Sequence, residues 1–251
     1  MNPPDRLSLI TPDWRAPARV RACTTSRSGG VSLPPYDGLN LGDHVGDDPA
    51  AVAQNRQRLI EHLQLPAQPG WLRQVHGIEV APLSGALQSP VEADASVTST
   101  PGVVCAVLTA DCLPVLFCDR RGTVVAAAHA GWRGLLDGVL EATVRVMGVP
   151  SGEILAWFGP AIGPEAFEVG NEVRDAFVAD APEAHAAFRP HVPGKWLADI
   201  YLLARQRLNA CGVTAVSGGN LCTYRDAARF YSYRRDGRTG RMASLIWLAK
   251  D

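Results

Sequence analysis

No apolar stretch in these 251 residues approaches the roughly 20 needed to cross a bilayer. The opening segment MNPPDRLSLI lacks the basic and apolar blocks of a secretion signal. Charge of one sign is also missing. With 24 Lys and Arg against 25 Asp and Glu the formal net charge is −1, so no general electrostatic attraction draws the chain to nucleic acid or to an acidic membrane. There is no C-x-x-C pair: six cysteines lie scattered at positions 23, 105, 112, 118, 211 and 222. That spacing excludes a disulfide framework and predicts reduced thiols in a cytoplasmic protein. The six histidines include no H-x-H pair. No repeat at a fixed period and no low-complexity tract occurs, and no feature specifies an oligomer.

What remains is an ordinary globular composition, 47% hydrophobic and 20% charged, on a chain long enough for a substantial core. Strand and helix signals interleave along the whole length. Strands are expected over residues 18–24, 71–80 (interrupted at Gly77), 93–98, 103–109, 155–158 and 214–216. The run 103–109 is nearly all apolar and reads as buried on both faces. Asp48-Pro49 opens a helix over 50–65 that stops at Pro66. Further helices are expected over 135–147, 169–179 and 199–210. A last hairpin, 230–235 with 242–248, would turn at Asp236-Gly237. The pattern predicts one α+β domain over 1–251, with 1–17 an irregular N-terminal segment.

The stretch TADCLPVLFCDRRGTVVAAAHAGWRG (109–134) is the most informative. It holds two strand-like runs, 113–118 and 123–129, joined by a turn. If Asp119 pairs with Gly122, Cys112 falls opposite His129, with Cβ atoms roughly 4.5–5.5 Å apart. A one-residue slip would send His129 to the other face. Taken singly, Cys112 reads as a small buried hydrophobe and His129 as a hydrogen-bonded core histidine. Opposed, and beside Asp111 and a glycine-rich turn, they read as either a metal site or a nucleophile–base pair. A metal site needs a third ligand. His62 falls in the 50–65 helix and His185 in a polar Ala-rich stretch, both read as surface. His191 lies in a Pro-rich loop, as His44 does in a turn-rich one. His76, by contrast, follows an apolar run and precedes Gly77, where a side chain can leave a sheet edge.

RQVHG (73–77), TADCLPV (109–115), HAGWRG (129–134), GPAIG (159–163), FEVG (167–170) and SYRRDGRTGRM (232–242), with NLGDHVGDD (40–48), together resemble the YfiH-like family, historically labelled as laccase-type multicopper polyphenol oxidases. The resemblance runs from about Thr24 to the C-terminus. It implies a layered α/β/β/α sandwich with mixed sheets, and a zinc ion held by His76, Cys112 and His129. It also implies phosphorolysis of adenosine, inosine and methylthioadenosine to base and ribose 1-phosphate, with adenosine deamination. The partners would be small purine nucleosides and phosphate, with no nucleic acid and no membrane.

Two His and one Cys leave a fourth zinc position open, the catalytic pattern, in which a bound water has its pKa lowered to about 7. Deamination also needs a carboxylate to carry the proton; Asp111, next to Cys112, is the candidate, with a structural carboxylate as the other reading. Phosphorolysis needs an oxyanion seat. The helix start after HAGWRG with Arg133 is one candidate, and a tight turn is the plainer reading of its glycines. Arg234, Arg235, Arg238 and Arg241 flank the last turn; alternation lets one or two face a pocket, and Arg235 is taken as the candidate. Asn40, Arg56 and Gln74 are the remaining polar candidates for substrate.

Two rival functions stay open. A metal-free Cys–His hydrolase or amidase would use Cys112 as nucleophile and His129 as base, a chemistry suggested in relatives for peptidoglycan precursors; it leaves His76 unexplained. A copper polyphenol oxidase shares the His₂Cys ligand set, but six histidines without an H-x-H pair are too few for a multicopper centre.

Overall fold

All six residues of Val104–Thr109 are buried, and the alternation of their side chains shows why. Cys105 and Val107 face one apolar cluster with Leu116, Val125 and Ile246. Val104, Ala106 and Leu108 face a second, with Leu39, Leu59 and Leu245. A strand with two apolar faces must be covered twice, and here the covers are a second sheet and a helix. The computed structural model describes residues 7–250.

The first sheet has the order β1 (Leu9–Ile10), β2 (Val20–Thr25), β13 (Met242–Leu248) and β5 (Val104–Thr109). The second runs β12 (Ala215–Gly218), β8 (Ile154–Phe158), β6 (Leu113–Asp119), β7 (Val125–Ala130), β4 (Ala95–Thr98) and β3 (Val80–Pro82). It is mixed: β12 lies parallel to β8 and β3 parallel to β4, and the other pairs are antiparallel. The two sheets meet across the Cys105–Val107 face. Helix α1 (Pro49–Leu63) covers the outer face of the first sheet through Leu59. Helices α3 (Val139–Met147), α4 (Asn171–Asp180) and α5 (Ile200–Ala210) cover the outer face of the second. The result is the expected α+β sandwich in α/β/β/α layers. The small side chains Ala126, Ala128 and Ala130 of β7 sit under this helical layer and let it approach closely. Strands β9 (Glu168–Gly170), β10 (Phe188–Pro190) and β11 (Lys195–Ala198) form a small third sheet that the sequence pattern did not reveal.

Several local expectations change. The β6–β7 loop is longer than a two-residue turn: Asp119 pairs with Val124, and its carboxylate accepts from the backbone N–H of Thr123 at 2.6 Å and of Val124 at 3.0 Å. The register therefore moves by two, placing His129 opposite Pro114 and not Cys112. Because strand side chains alternate with period two, a shift of two keeps His129 on the same face. The helix expected over 135–147 is two helices, α2 (Trp132–Asp137) and α3, broken at Gly138 with φ 103°, a conformation open to glycine at no steric cost. Residues 71–79 are not a strand. The last hairpin is absent as well: Ser232 caps the short helix α6 (Tyr233–Asp236), and β13 pairs with β2 and β5. Residues 7–17 are irregular apart from β1; residues 1–6 lie outside the described residues.

The segment 31–41 forms no strand or helix, yet it is tied to α1 by Arg56, which donates to Leu41 O, and above all by Asn55. Asn55, fully buried, donates to Ser32 Oγ, Gly38 O and Asn40 O and accepts from Val31 N–H. Asn55→Ala would leave Val31 N–H and Asn40 O without their partner, at about 1–3 kcal/mol for each such group. A loss of at least ~2 kcal/mol in urea unfolding, with an unchanged m-value, is the expected outcome.

Candidate metal centre

Asp94 directly precedes β4 and is completely buried. Its carboxylate accepts three consecutive backbone N–H groups, Val75 at 3.1 Å, His76 at 2.9 Å and Gly77 at 2.7 Å. It also lies 2.7 Å from Nδ1 of His129. One side chain thus positions two of the three expected ligands. The three amides curl around the anion, which holds His76 in the left-handed region at φ 62°, where histidine is among the more tolerant residues. That curl is why RQVHG is not a strand.

An ionised carboxylate can only accept, so the His129 proton sits on Nδ1 and Nε2 is left as the ligand atom, the usual carboxylate–histidine arrangement of metal sites. His129 enters from β7, and its backbone N–H donates to Asp94 O at 2.7 Å. Cys112 enters from the turn before β6. That turn is shaped by Asp111, at φ 95°. The Asp111 carboxylate accepts from Thr223 Oγ1 at 2.6 Å, Ser232 Oγ at 3.0 Å and Arg234 N–H at 2.7 Å, while its carbonyl accepts from Ile162 N–H at 2.9 Å.

The three side chains converge. Cys112 Sγ lies 3.8 Å from His76 Nε2, and the ligand atoms all lie within 4.8 Å of one another. Two ligands of a tetrahedral zinc, at the usual Zn–S and Zn–N lengths, stand about 3.5 Å apart, so this set fits an ion after small side-chain adjustments. Among the described residues this is the one cluster of three or more His, Cys, Asp or Glu able to hold a metal. His76 is exposed, Cys112 half-buried and His129 buried, so the centre opens to solvent on the His76 side.

The glycines of HAGWRG serve this convergence. A Cβ on Gly131 would lie 2.6 Å from His76 Cδ2 and 3.2 Å from Cys112 Sγ, in the space between the ligands. A Cβ on Gly134 would stand 2.8 Å from Gly77 O, pushing α2 off the His76 loop. Close approach explains both positions, and α2, only six residues long, offers little as a phosphate seat.

Electrostatics favour the Cys112 thiolate, whereas a metal would have to displace a proton from His129. Burial by itself would raise the Cys112 thiol, but His129 and His76 outweigh it and bring the pKa down to about 6. Burial would likewise lower His129, yet Cys112 and Asp94 raise it to about 9. For Asp94, burial is again overcome, by His129 and the Gly77 and Val75 amides, and its pKa is lowered. In the absence of metal the pair is a thiolate beside an imidazolium.

The other expected site residues are placed less directly. Both oxygens of Asp111 are engaged by Thr223, Ser232 and Arg234, and neither is bonded to a ligand residue. Asn40 is fully buried, and its amide bonds to Gly42, Asp47 and Arg241 N–H, which shapes the 40–42 loop. The Gln74 amide pairs with both the N–H and the C=O of Leu108, acting as a substitute strand partner. Arg235 spends its guanidinium on Thr223 O, Tyr224 O, Phe230 O and Asp236. Arg133 is exposed and stacks over Trp132. Arg56 donates to Leu41 O and lies 4.4 Å over Trp71, with Asp43 at 3.3 Å. Sequence reasoning missed Asp94, although a charged residue flush against a fully buried strand was a signal for it.

A mixed-sheet sandwich with a solvent-open His–Cys–His cluster defines a class of fold and site, and comparison with known proteins narrows it. The family model described as multi-copper polyphenol oxidoreductase laccase matches residues 21–249. The chain belongs to this family. It is 64% identical to a purine nucleoside phosphorylase of Pseudomonas aeruginosa over 95% of this chain and 98% of that one. It is 60% identical to the purine nucleoside phosphorylase YfiH of Escherichia coli, over 96% and 98%. Among solved structures, a Neisseria meningitidis protein superposes with a TM-score of 0.93 at 54% identity, covering 96% and 99% of the two chains. YlmD from Geobacillus stearothermophilus superposes at 0.88 with 33% identity, covering 93% of each.

Two outcomes follow for the centre. Asp94→Asn should weaken metal binding by about 10–100-fold, read in a competition titration with a chromophoric chelator; affinity equal to the parent would contradict the positioning role. In chelator-treated protein, alkylation of Cys112 by iodoacetamide, followed by mass spectrometry, should show a midpoint near pH 6, against about 8.5 for an ordinary thiol.

Proposed function

We propose that this chain is a zinc-dependent purine nucleoside phosphorylase, acting on adenosine, inosine and methylthioadenosine, with adenosine deamination as an accompanying activity. The observation that carries this reading is the open His76–Cys112–His129 cluster on a chain so similar to proteins named purine nucleoside phosphorylase. Phosphorolysis exchanges the C1′–N bond of the nucleoside for a C1′–O bond to phosphate, and the departing purine takes up a proton. His76, Cys112 and His129 would hold the ion. When bound, zinc supplies Lewis-acid polarisation of a substrate oxygen and a lowered water pKa.

The chain's own groups set the geometry. Asp94 fixes the His129 ring and the His76 backbone together, so only small side-chain adjustments remain when the metal binds. Asp111 acts as a positioning residue: it ties the Cys112 turn to Thr223, Ser232 and Arg234. Zinc is favoured over copper by the donor set, an imidazole pair and a thiolate with one position open, and by the single cluster in place of several copper sites. Six free cysteines agree with a cytoplasmic setting.

A second reading draws on one observation. Cys112, His129 and Asp94 form a nucleophile, base and orienting carboxylate in series, the arrangement of a thiol hydrolase. It would act on an amide such as that of a peptidoglycan precursor. His76 has no role in it.

Purified protein should contain about one zinc per chain by elemental analysis, as expected for a three-ligand site. It should release ribose 1-phosphate from inosine only when phosphate is supplied. Inosine formed from adenosine without phosphate reports the deaminase. Full phosphorolysis after complete removal of metal would reject the zinc reading, and amide hydrolysis by the metal-free protein in place of phosphorolysis would favour the thiol hydrolase.

A further inference from the structure

Phosphorolysis requires a seat for a dianion beside the centre, and the helix start with Arg133 is a poor one. Of the arginines around the last turn, Arg241 differs from the rest. It immediately precedes β13, one residue beyond the Met242–Thr109 pair, which sets it at the level of Ala110 and next to the Cys112 turn. Its backbone is clamped on both sides by the 40–42 loop: its N–H donates to Asn40 Oδ1 at 2.9 Å, and its carbonyl accepts from Leu41 N–H at 3.2 Å. The aliphatic stem lies against Gly42, where an added Cβ would come within 2.8 Å of Arg241 Cγ. The side chain is therefore held in place by packing and not by ion pairing.

Its guanidinium lies 6.0 Å from the centre of the Tyr233 ring and keeps donors open. Nη1 donates to Thr239 O at 3.0 Å and Gly240 O at 3.1 Å. Among the described residues Nε and Nη2 make no hydrogen bond, and no carboxylate forms an ion pair with it. Arg235 is fully spent; Arg234 and Arg238 also keep donors, but their guanidinium groups are directed to Glu168 O and to Tyr36 Oη. Burial lowers the Arg241 pKa, and only the charge of Cys112 and Asp111 and the Tyr233 and Tyr36 phenols act against that. Arg56 reaches the same loop from α1 by donating to Leu41 O. His44, between them, feels both arginines: burial and Arg241 lower its pKa, Asp43 acts against them, and Arg56 adds to the lowering. Asp43 is the carboxylate paired with Arg56 in this group, and it is half exposed.

A half-buried guanidinium with donors open beside the Cys112 turn is placed to meet an anion. We propose that Arg241, flanked by Arg56, seats the inorganic phosphate co-substrate beside the His76–Cys112–His129 centre. Arginine suits this task because its planar fork matches two phosphate oxygens at once. The proposal rests on the phosphorylase reading for the identity of the anion, and on the fold alone for the existence of the seat.

The test compares Arg241→Met, Arg241→Lys and Arg133→Met, each as metal-loaded full-length protein with circular dichroism and metal content matched to the parent. With inosine as substrate, Arg241→Met should raise the KM for phosphate by about tenfold or more, the loss of a charge-assisted hydrogen-bond pair, while the KM for inosine changes by less than about threefold. Arg241→Lys, which keeps the charge and loses the fork, should fall between. Without nucleoside, inorganic phosphate should raise the melting temperature of the parent and of Arg133→Met, but not of Arg241→Met. An unchanged phosphate KM and an unchanged phosphate-induced thermal shift in Arg241→Met, or their loss in Arg133→Met instead, would overturn the assignment. If Arg241→Met does not fold, the Lys variant decides by the same two readouts. Absence of ribose 1-phosphate from the parent enzyme would sink the phosphorylase reading, and the thermal shift would then judge the anion seat by itself.

Discussion

The Asp94 carboxylate is the contact on which the candidate site depends. It collects three successive amides of the His76 loop and the Nδ1 proton of His129. Two ligands that lie 53 residues apart in sequence, His76 and His129, are thereby fixed by a single anion. Complete burial of that anion is tolerable only because it is surrounded by donors; an unpaired carboxylate there would cost several kcal/mol. The same group decides backbone shape, since the left-handed His76 exists where its N–H has an acceptor to turn towards.

The rest of the architecture brings elements to that anion. The two sheets sandwich a common apolar layer, and β7 carries His129 out of this layer to its end, where β4 delivers Asp94. Cys112 arrives from the other side, on a turn that Asp111 ties to Thr223, Ser232 and Arg234. Asp94 and Asp111 thus do parallel work: each is a nearly buried carboxylate that shapes the backbone around a ligand without ligating. Gly131 and Gly134 complete the approach by leaving space where any side chain would stand between His76, Cys112 and the Gly77 carbonyl.

Charge around the centre is asymmetric. The carboxylates near it are consumed by backbone donors, whereas on the 40–44 side the guanidinium of Arg241 retains donors and Arg56 is only partly matched by Asp43. A surface of that sign beside the His76–Cys112–His129 cluster suits the anionic reactant of the proposed phosphorolysis. It gives no comparable reason to expect a phenol, which carries little charge at neutral pH.

Much of this was legible in the order of residues. The doubly apolar run at 104–109 announced a strand covered on both faces, Asp48-Pro49 announced the start of α1, and Cys112, His129 and His76 stood out by type and setting. Those are local properties, expressed by periodicity, capping and composition, which act over a few residues. What the order of residues left open was decided by contacts between distant segments. The β6–β7 register turned on how the Asp119 side chain wraps its own loop, and it preserved the face of His129 only because it moved by two. The irregular 71–79 segment, the role of Asp94, and the bonds of Gln74 to Leu108 and of Asn40 to Arg241 all depend on partners 17 to 201 residues away. Residue types and short-range pattern therefore determined the layers and the ligands, while tertiary structure alone decided which polar groups were consumed in holding them. A hydrogen bond saturates its donors and acceptors, and which partner reaches a group first is a property of the folded chain.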